Sequence, residues 1–384
     1  AIFNRAGYVT FRTCKRGNSY ENANRLFIWR YDKACTQADD ENGSKWHGDR
    51  VMEFLEMRES QAMKQPFLVY FGFSHPHDPR YEKPEFYNKY GAFDEPPSLA
   101  DPEAPPLPVN YLPVHPFRHG NDNGRDETLV QGVMTRRDEA AIRNETGRKY
   151  ACIENIDNQI GRVINKLKEM NELDNTYIFF TADNGIAVGR HGLMGKQNLY
   201  EHSWRVPLIV KGPGIEPGSR TPGNIYLMDV LPTLCELAGL KKPETCDGKS
   251  FAAVLKGKSK TIRNVMYGAF TIHDPKPVPV TGSKPGIRAV KKGAWKLIKY
   301  DVYDGRIHET QLFNLKKNPN ELLKEHHDPS IIQMTGNIPE SCQINLAEDP
   351  KYAGRLKKME KLLLEQQIVN NDPYRLWYQP AIAK

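Results

Sequence analysis

Two short stretches place chemically active residue types at the ends of apolar runs. Tyr177-Ile-Phe-Phe180 reads as a buried strand and leads into Thr181-Ala-Asp183-Asn184-Gly185. Ligand sites in open α/β sheets lie at the carboxyl ends of strands. A carboxylate beside a side-chain carbonyl suits a hard cation such as Ca2+ or Mg2+. The same residues also make an Asx turn that simply closes the strand. The second stretch, Ser74-His75-Pro76-His77-Asp78-Pro79-Arg80, follows the apolar run Phe67-Leu-Val-Tyr-Phe-Gly-Phe73. A histidine placed there can act as general acid toward a leaving alcohol, although a lone histidine is more often structural. Two strand ends that both deliver ionisable groups favour one shared site. Downstream, Gly189-Arg190-His191-Gly192-Leu193-Met194-Gly195-Lys196 is a glycine-rich loop. Its lysine is a point charge able to hold an oxyanion; the plain alternative is a flexible, solvated loop.

The elements that must position these residues follow from periodicity. Phe67–Phe73, Tyr177–Phe180 and Val206–Val210 are continuous apolar runs, the pattern of strands buried on both faces of a parallel sheet. Tyr150, Ile153, Ile156, Ile160, Val163, Ile164 and Leu167 recur at helical spacing. Val51 to Leu55 fits a short helix, and Val230 to Leu237 a further one that stops at Gly239. Strands alternating with helices predict an α/β fold with a mostly parallel central sheet flanked by helices. The stretch from Asn18 to Ser44 is polar and reads as surface loop, and 94 to 127 as a long excursion without regular structure. After about residue 258 the character changes. Val265–Phe270, Gly286–Val290, Trp295–Tyr300 and Gln311–Leu315 read as short strands, Lys292-Gly293 as a turn, and Leu356 to Ile368 as a helix. The expected division is a domain over 1–258 and a C-terminal α+β subdomain over 259–384, a small antiparallel sheet plus a helix.

Composition narrows the function classes. The chain has 384 residues, 39% of them hydrophobic and 10% aromatic, enough for a substantial core. The net charge of +7 is spread out, and no Lys/Arg block is interleaved with aromatics as a nucleic-acid groove requires. No apolar run is long enough to cross a bilayer. The six cysteines form no CxxC pair, so their spacing argues against zinc held by thiolates.

Taken in order, the motifs resemble the sulfatase family of the alkaline-phosphatase-like superfamily. Gly7-Tyr8-Val9-Thr10 followed by Lys15 resembles its Gly-Tyr-x-Thr…Gly-Lys signature, and Pro76-His77-x-Pro79 its substrate-side histidine turn. Thr181-Ala-Asp183-Asn184-Gly185 resembles its second metal-binding turn, and His191-Gly192…Gly195-Lys196 its sulfate-binding lysine loop. Similarity continues through Arg205-Val-Pro-Leu-Ile-Val-Lys-Gly-Pro-Gly214, Asp229–Leu234 and Arg288-Ala-Val…Trp295-Lys-Leu.

The resemblance implies a hydrolase of sulfuric esters, acting on a sulfated sugar or polysaccharide or an aryl sulfate. It implies Ca2+, with Mg2+ as the alternative, on Asp183 and Asn184. It implies His77, Lys15 and Lys196 as catalytic residues, and Lys196, His77, His75, His191 and Arg80 as contacts to substrate. His115, Arg118 and His119 are expected to line substrate subsites. The family's nucleophile is a formylglycine made within Cys/Ser-x-Pro/Ala-x-Arg, and no cysteine or serine here heads that pattern. Its first metal-binding Asp pair, on the first strand, is absent too. Both belong before the Gly-Tyr-x-Thr signature, so the expectation is a chain truncated at its N-terminus and inactive alone. A further departure is Cys14-Lys15-Arg16-Gly17-Asn18, where the family's glycine is Cys14 and no histidine follows. Two other readings stay open: a phosphoester hydrolase of the same superfamily, and an inactive, glycan-binding fragment. An exported location is expected from the family alone.

Overall fold

The carboxyl edge of a small parallel sheet gathers the polar residues, so the strands come first. The structure is a computed structural model that describes residues 2–15, 21–95, 97–119, 137–271, 286–303 and 305–380. Strand β1 (Val9–Cys14) lies between β2 (Trp29–Asp32) and β3 (Phe67–Phe71), all parallel. Phe11 pairs with Trp29 on one side and Val69 on the other. Helix α1 (Ser44–Glu59) and the end of the long helix α2 (Glu139–Glu169) cover one face. There Phe11, Val51, Phe54, Leu55 and Leu167 form one buried cluster. The Asp138 side chain caps α2 by accepting from Ala141 N at 3.0 Å.

β4 (Ile178–Thr181) and β5 (Leu208–Lys211) pair with each other and run antiparallel, Phe179 opposite Val210. Among the described residues, the outer edge of β3 and the free edge of β4 have no strand partner. Their side chains are accordingly less covered than their apolar character predicts: Tyr70 is 52% exposed and Phe180 41%. Helix α3 (Val230–Leu237) follows β5.

The C-terminal part is a four-stranded antiparallel sheet, β6 (Val265–Thr271), β7 (Gly286–Lys292), β8 (Trp295–Val302) and β9 (Ile307–Asn314), in sequential order. Gly293, with φ of +58°, makes the expected β7–β8 turn. Helix α4 (Ala353–Val369) covers one face through Met359 and Leu363. The other face packs Ile287, Ala289, Ile298 and Tyr300 against Ala187, Leu193, Leu199 and Tyr200. The lysine loop is thus packed on this sheet on one side, while its Val188 and Met194 pack with Leu107, Tyr111 and Ile142.

Four sequence expectations need correcting. β4 and β5, expected as strands buried on both faces of the parallel sheet, pair antiparallel with each other and are partly exposed. Asn18–Ser44 is not all loop, because Trp29–Asp32 forms edge strand β2. Helix α1 spans 16 residues, well beyond Val51–Leu55. β9 starts at Ile307, four residues before Gln311. Residues 97–119 have no helix or extended strand, as expected, while 120–127 and Arg16–Asn18 lie outside the described residues. All six cysteines are free thiols.

Candidate active site

β1, β3 and β4 each end in the residues singled out above. Lys15 directly follows β1 and is half-buried. Burial lowers the pKa of its ammonium and Lys196 lowers it further, while Asp183 and Asp78 pull it back up. Groups that influence one another in this way share one space. Lys15 therefore lies within electrostatic reach of Lys196, Asp183 and Asp78, which come from other segments of the chain.

Asp183 is exposed at the end of β4. Its Oδ1 accepts from Asn184 N at 2.9 Å, so the turn is closed by an Asx-type bond. That bond occupies one carboxylate oxygen and is compatible with cation binding by the other. Gly185 is required by close approach: a Cβ there would lie 1.9 Å from the His202 carbonyl oxygen. Gly185 N donates to Ser203 O at 2.9 Å, which fixes the turn against the helical turn Glu201–Trp204. Asp183 and Asn184 supply hard oxygen donors of the kind Ca2+ takes, but only two of the six to eight it needs. They fit as part of a metal set.

His77 is partly exposed, and its Nδ1 lies 2.8 Å from Asp78 Oδ1 and 2.8 Å from the Asp78 carbonyl oxygen. Both neighbours are acceptors, so Nδ1 carries a hydrogen and Nε2 is left to exchange a proton with solvent or substrate. The Asp78 carboxylate escaped the sequence reading, although its adjacency to His77 was the available signal. His47 was missed as well. Thr13 Oγ1 lies 2.7 Å from His47 Nδ1, and His47 Nε2 lies 3.2 Å from Ser74 Oγ. This buried relay ties β1 and α1 to the histidine loop, and burial pushes the His47 pKa down to about 3.

The lysine loop is not a flexible, solvated segment. Ala187 N donates to Gly195 O at 3.0 Å, Val188 N to Met194 O at 3.0 Å and Gly189 N to Leu193 O at 2.8 Å. Val188, Leu193 and Met194 are buried. Lys196 leaves this packed hairpin partly exposed. Behind the loop, Lys296 is buried between Glu321 at 2.7 Å and Glu201 at 3.1 Å, and Lys291 joins Glu201 at 2.8 Å. Burial raises the Glu201 pKa, and the two lysines more than reverse the effect; burial holds Glu321 above its usual range.

Of the remaining sequence candidates, His75, Arg80, His191 and His119 are buried, His115 is partly buried and Arg118 is exposed. His75 is buried against Ser44 and Glu82. Arg80 donates to Glu145 at 2.8 Å with neither side chain exposed, and Arg148 completes that pair at 2.8 Å. His191 is stacked on Tyr200 with ring centroids 4.1 Å apart, and burial drives its pKa well below 6.5. His115 and His119 pack edge to face, and Arg118 lies over the Tyr303 ring. The structure thus sets Lys15 and His77 after strands of the parallel sheet and Asp183 and Asn184 after β4, with Lys15 in electrostatic reach of Asp183 and Lys196, and leaves His75, Arg80 and His191 buried.

A parallel sheet whose carboxyl edge collects such residues, with an antiparallel sheet packed on its lysine loop, places the chain in the alkaline-phosphatase-like superfamily. It belongs to the sulfatase family, whose model matches residues 1–240. A model described as N-sulphoglucosamine sulphohydrolase, C-terminal, matches residues 189–352. The chain is 29% identical over 279 residues to choline-sulfatase of Rhizobium meliloti, covering 72% of this chain and 49% of that protein. It is also 29% identical over 359 residues to the multifunctional alkaline phosphatase superfamily protein PehA of Trinickia caryophylli, covering 89% and 62%. The chain therefore spans only half to three-fifths of the length of these relatives. Among solved structures, BT4656 in complex with its substrate D-glucosamine-2-N,6-O-disulfate is similar at TM-score 0.64 and 20% identity, covering 97% of this chain and 82% of that one. The phosphonate monoester hydrolase of Silicibacter pomeroyi is similar at TM-score 0.63 and 19% identity, covering 92% and 67%.

Proposed function

We propose that this chain forms most of the catalytic domain of a sulfatase that hydrolyses sulfated sugars or aryl sulfates. The observation that carries this reading is that Lys15 lies within electrostatic reach of both Lys196 and Asp183, a second cation and a metal-type carboxylate from separate segments. Such an arrangement binds a tetrahedral dianion and neutralises charge that builds on its oxygens. Ca2+ at Asp183 and Asn184, with Mg2+ as the alternative, would supply Lewis-acid stabilisation of sulfate oxygens when bound. His77, with Nδ1 held protonated by Asp78, delivers a proton from Nε2 to the departing alcohol oxygen. His75, Arg80 and His191 act by position, fixing the loops that carry His77 and Lys196.

Two parts of the machinery are proposed to come from outside this sequence: the formylglycine nucleophile and the other carboxylate ligands. The unpaired edges of β3 and β4 are where an additional strand bearing them would pair. On this reading the chain alone has negligible turnover. We further propose an exported location, on family grounds alone.

The experiment is to extend the coding sequence upstream to include an in-frame Cys-x-Pro-x-Arg. Release of sulfate and of phosphate from matched aryl esters and from sulfated glucosamine is then compared, for the extended protein and the 384-residue chain. Sulfate release by the extended protein alone is expected. Faster phosphate or phosphonate release would favour the second reading, a phosphoester hydrolase, which the likeness to a phosphonate monoester hydrolase keeps open. Glycan binding without release of either would favour an inactive binding protein.

A further inference from the structure

Behind the histidine loop, on the side away from the lysines, three side chains meet that the proposed hydrolysis does not use. A ring nitrogen of His75, a carboxylate oxygen of Glu82 and Sγ of Cys152 all lie within 4.8 Å of one another. His75 and Glu82 come from the loop after β3, and Cys152 from the middle of α2. None has meaningful solvent contact: the side chains of His75 and Glu82 are 0% and 1% exposed, and Cys152 is 0% exposed.

The groups are oriented from behind. Ser44 Oγ lies 3.1 Å from His75 Nδ1, and that nitrogen is 3.8 Å from Glu82 Oε2. Glu82 accepts from Asn155 Nδ2 at 3.0 Å and from Lys83 N at 3.0 Å. His75 Nε2 is buried with no hydrogen-bond partner. The Thr36 backbone hydrogen-bonds to the ring and favours its charged form. Burial also raises the Glu82 carboxyl pKa to about 7 and pushes the Cys152 thiol up.

We infer that His75, Glu82 and Cys152 form a buried binding site for a thiophilic divalent cation of the zinc class, separate from the metal position at Asp183. One imidazole, one carboxylate and one thiolate form a borderline-soft donor set. It suits Zn2+ and is foreign to Ca2+ and Mg2+, which take oxygen. Binding displaces the proton of the thiol, and that of any protonated Glu82, to solvent. Thiolate and carboxylate then balance the charge of the ion, leaving a neutral centre in a dry interior. Metal–ligand distances of ~2.0–2.3 Å imply ligand separations of ~3.5 Å, so the three atoms close in by about 1 Å on loading. Ser44, Asn155 and the Lys83 amide are the outer partners that such a site needs. Cysteine spacing could not indicate this site, because its ligands are brought together only by the packing of α2 on the loop. Its effect would be to fasten the His77 loop to α2.

The test uses the full chain stripped with a chelator and then titrated with zinc chloride or cobalt chloride. A single tight equivalent of zinc is expected, and cobalt is expected to give a near-ultraviolet thiolate charge-transfer band. Cys152→Ala and His75→Ala should lose both signals, while Asp183→Ala and Cys14→Ala keep them. Circular dichroism confirms that the variants are folded. Absence of a tight equivalent, its loss in Asp183→Ala, or its survival in folded Cys152→Ala would each overturn the inference. Should Cys152→Ala not fold, a wild-type cobalt spectrum without the thiolate band overturns it equally.

Discussion

Asp78 holds His77 by two atoms at once, its carboxylate Oδ1 and its own carbonyl oxygen each lying 2.8 Å from the same ring nitrogen. The ring therefore presents one defined nitrogen outward. In the extended, active enzyme, His77→Ala should lower kcat by roughly 10^2–10^4-fold on alkyl sulfates, whose leaving group needs the proton. The loss should be much smaller on nitrophenyl sulfate. Asp78→Asn should give a smaller loss with the same leaving-group dependence. Equal losses on both substrates would remove His77 from the role of acid.

Lys196 disfavours the charged form of Lys15, and a sulfate bound between the two would relieve that repulsion. The lowered Lys15 pKa makes it lose its proton at lower pH than an ordinary lysine. Inhibition by inorganic sulfate should therefore weaken as pH rises through that lowered value. Lys196→Ala should weaken sulfate binding at neutral pH and also move this alkaline limb to higher pH, since one depressing charge is gone. Sulfate inhibition constants across pH for both proteins check the shift, and an unmoved limb would separate the two lysines.

Lys296 is fully buried between Glu201 and Glu321. Replacing it by Met leaves Glu321 buried without its counter-charge, and losing one partner of such a group costs ~3–5 kcal/mol. Urea unfolding of Lys296→Met should show a loss of that order. Lys291→Met, whose side chain is more exposed, should cost much less.

Acid should destabilise the protein through its buried histidines. Burial, and then nearby positive groups, hold His202 and His191 well below the usual 6.5. The unfolded chain thus takes up protons below about pH 6.5 that the folded one refuses. The stabilisation is complete above that pH and is lost as pH falls toward the folded values. Neither ring nitrogen of His202 has a hydrogen-bond partner. His202→Phe should therefore leave stability at pH 7.5 unchanged or higher and make the decline between pH 6.5 and 4.5 shallower. An unchanged slope in chemical denaturation would assign the acid loss to other groups.

The strand ends were legible because continuous apolar runs such as Phe67–Phe71 and Ile178–Thr181 are local signals, and so are the polar residues that follow them. β2 was not legible, because Trp29-Arg-Tyr-Asp32 is short and half-exposed and is held by backbone pairing to β1. The first half of β9, Ile307-His-Glu-Thr310, is polar for the same reason and is set by its register with β8. Within the site, sequence could not separate His77 from His75. They stand two residues apart, yet one faces outward and the other meets Cys152, 77 positions further along. Arg80 likewise looked free until folding set Glu145 against it.

The bare margins of β3 and β4 also bear on how this polypeptide behaves as a material. Among the described residues neither margin has a strand partner, and side chains beside them such as Tyr70 and Phe180 are poorly covered. Two molecules can pair there by lying edge to edge, and nothing in either strand interrupts such growth with a proline or a lysine. Handled at high concentration, the 384-residue chain is therefore prone to open-ended polymerisation, and its yield in soluble form depends on whatever caps those two margins.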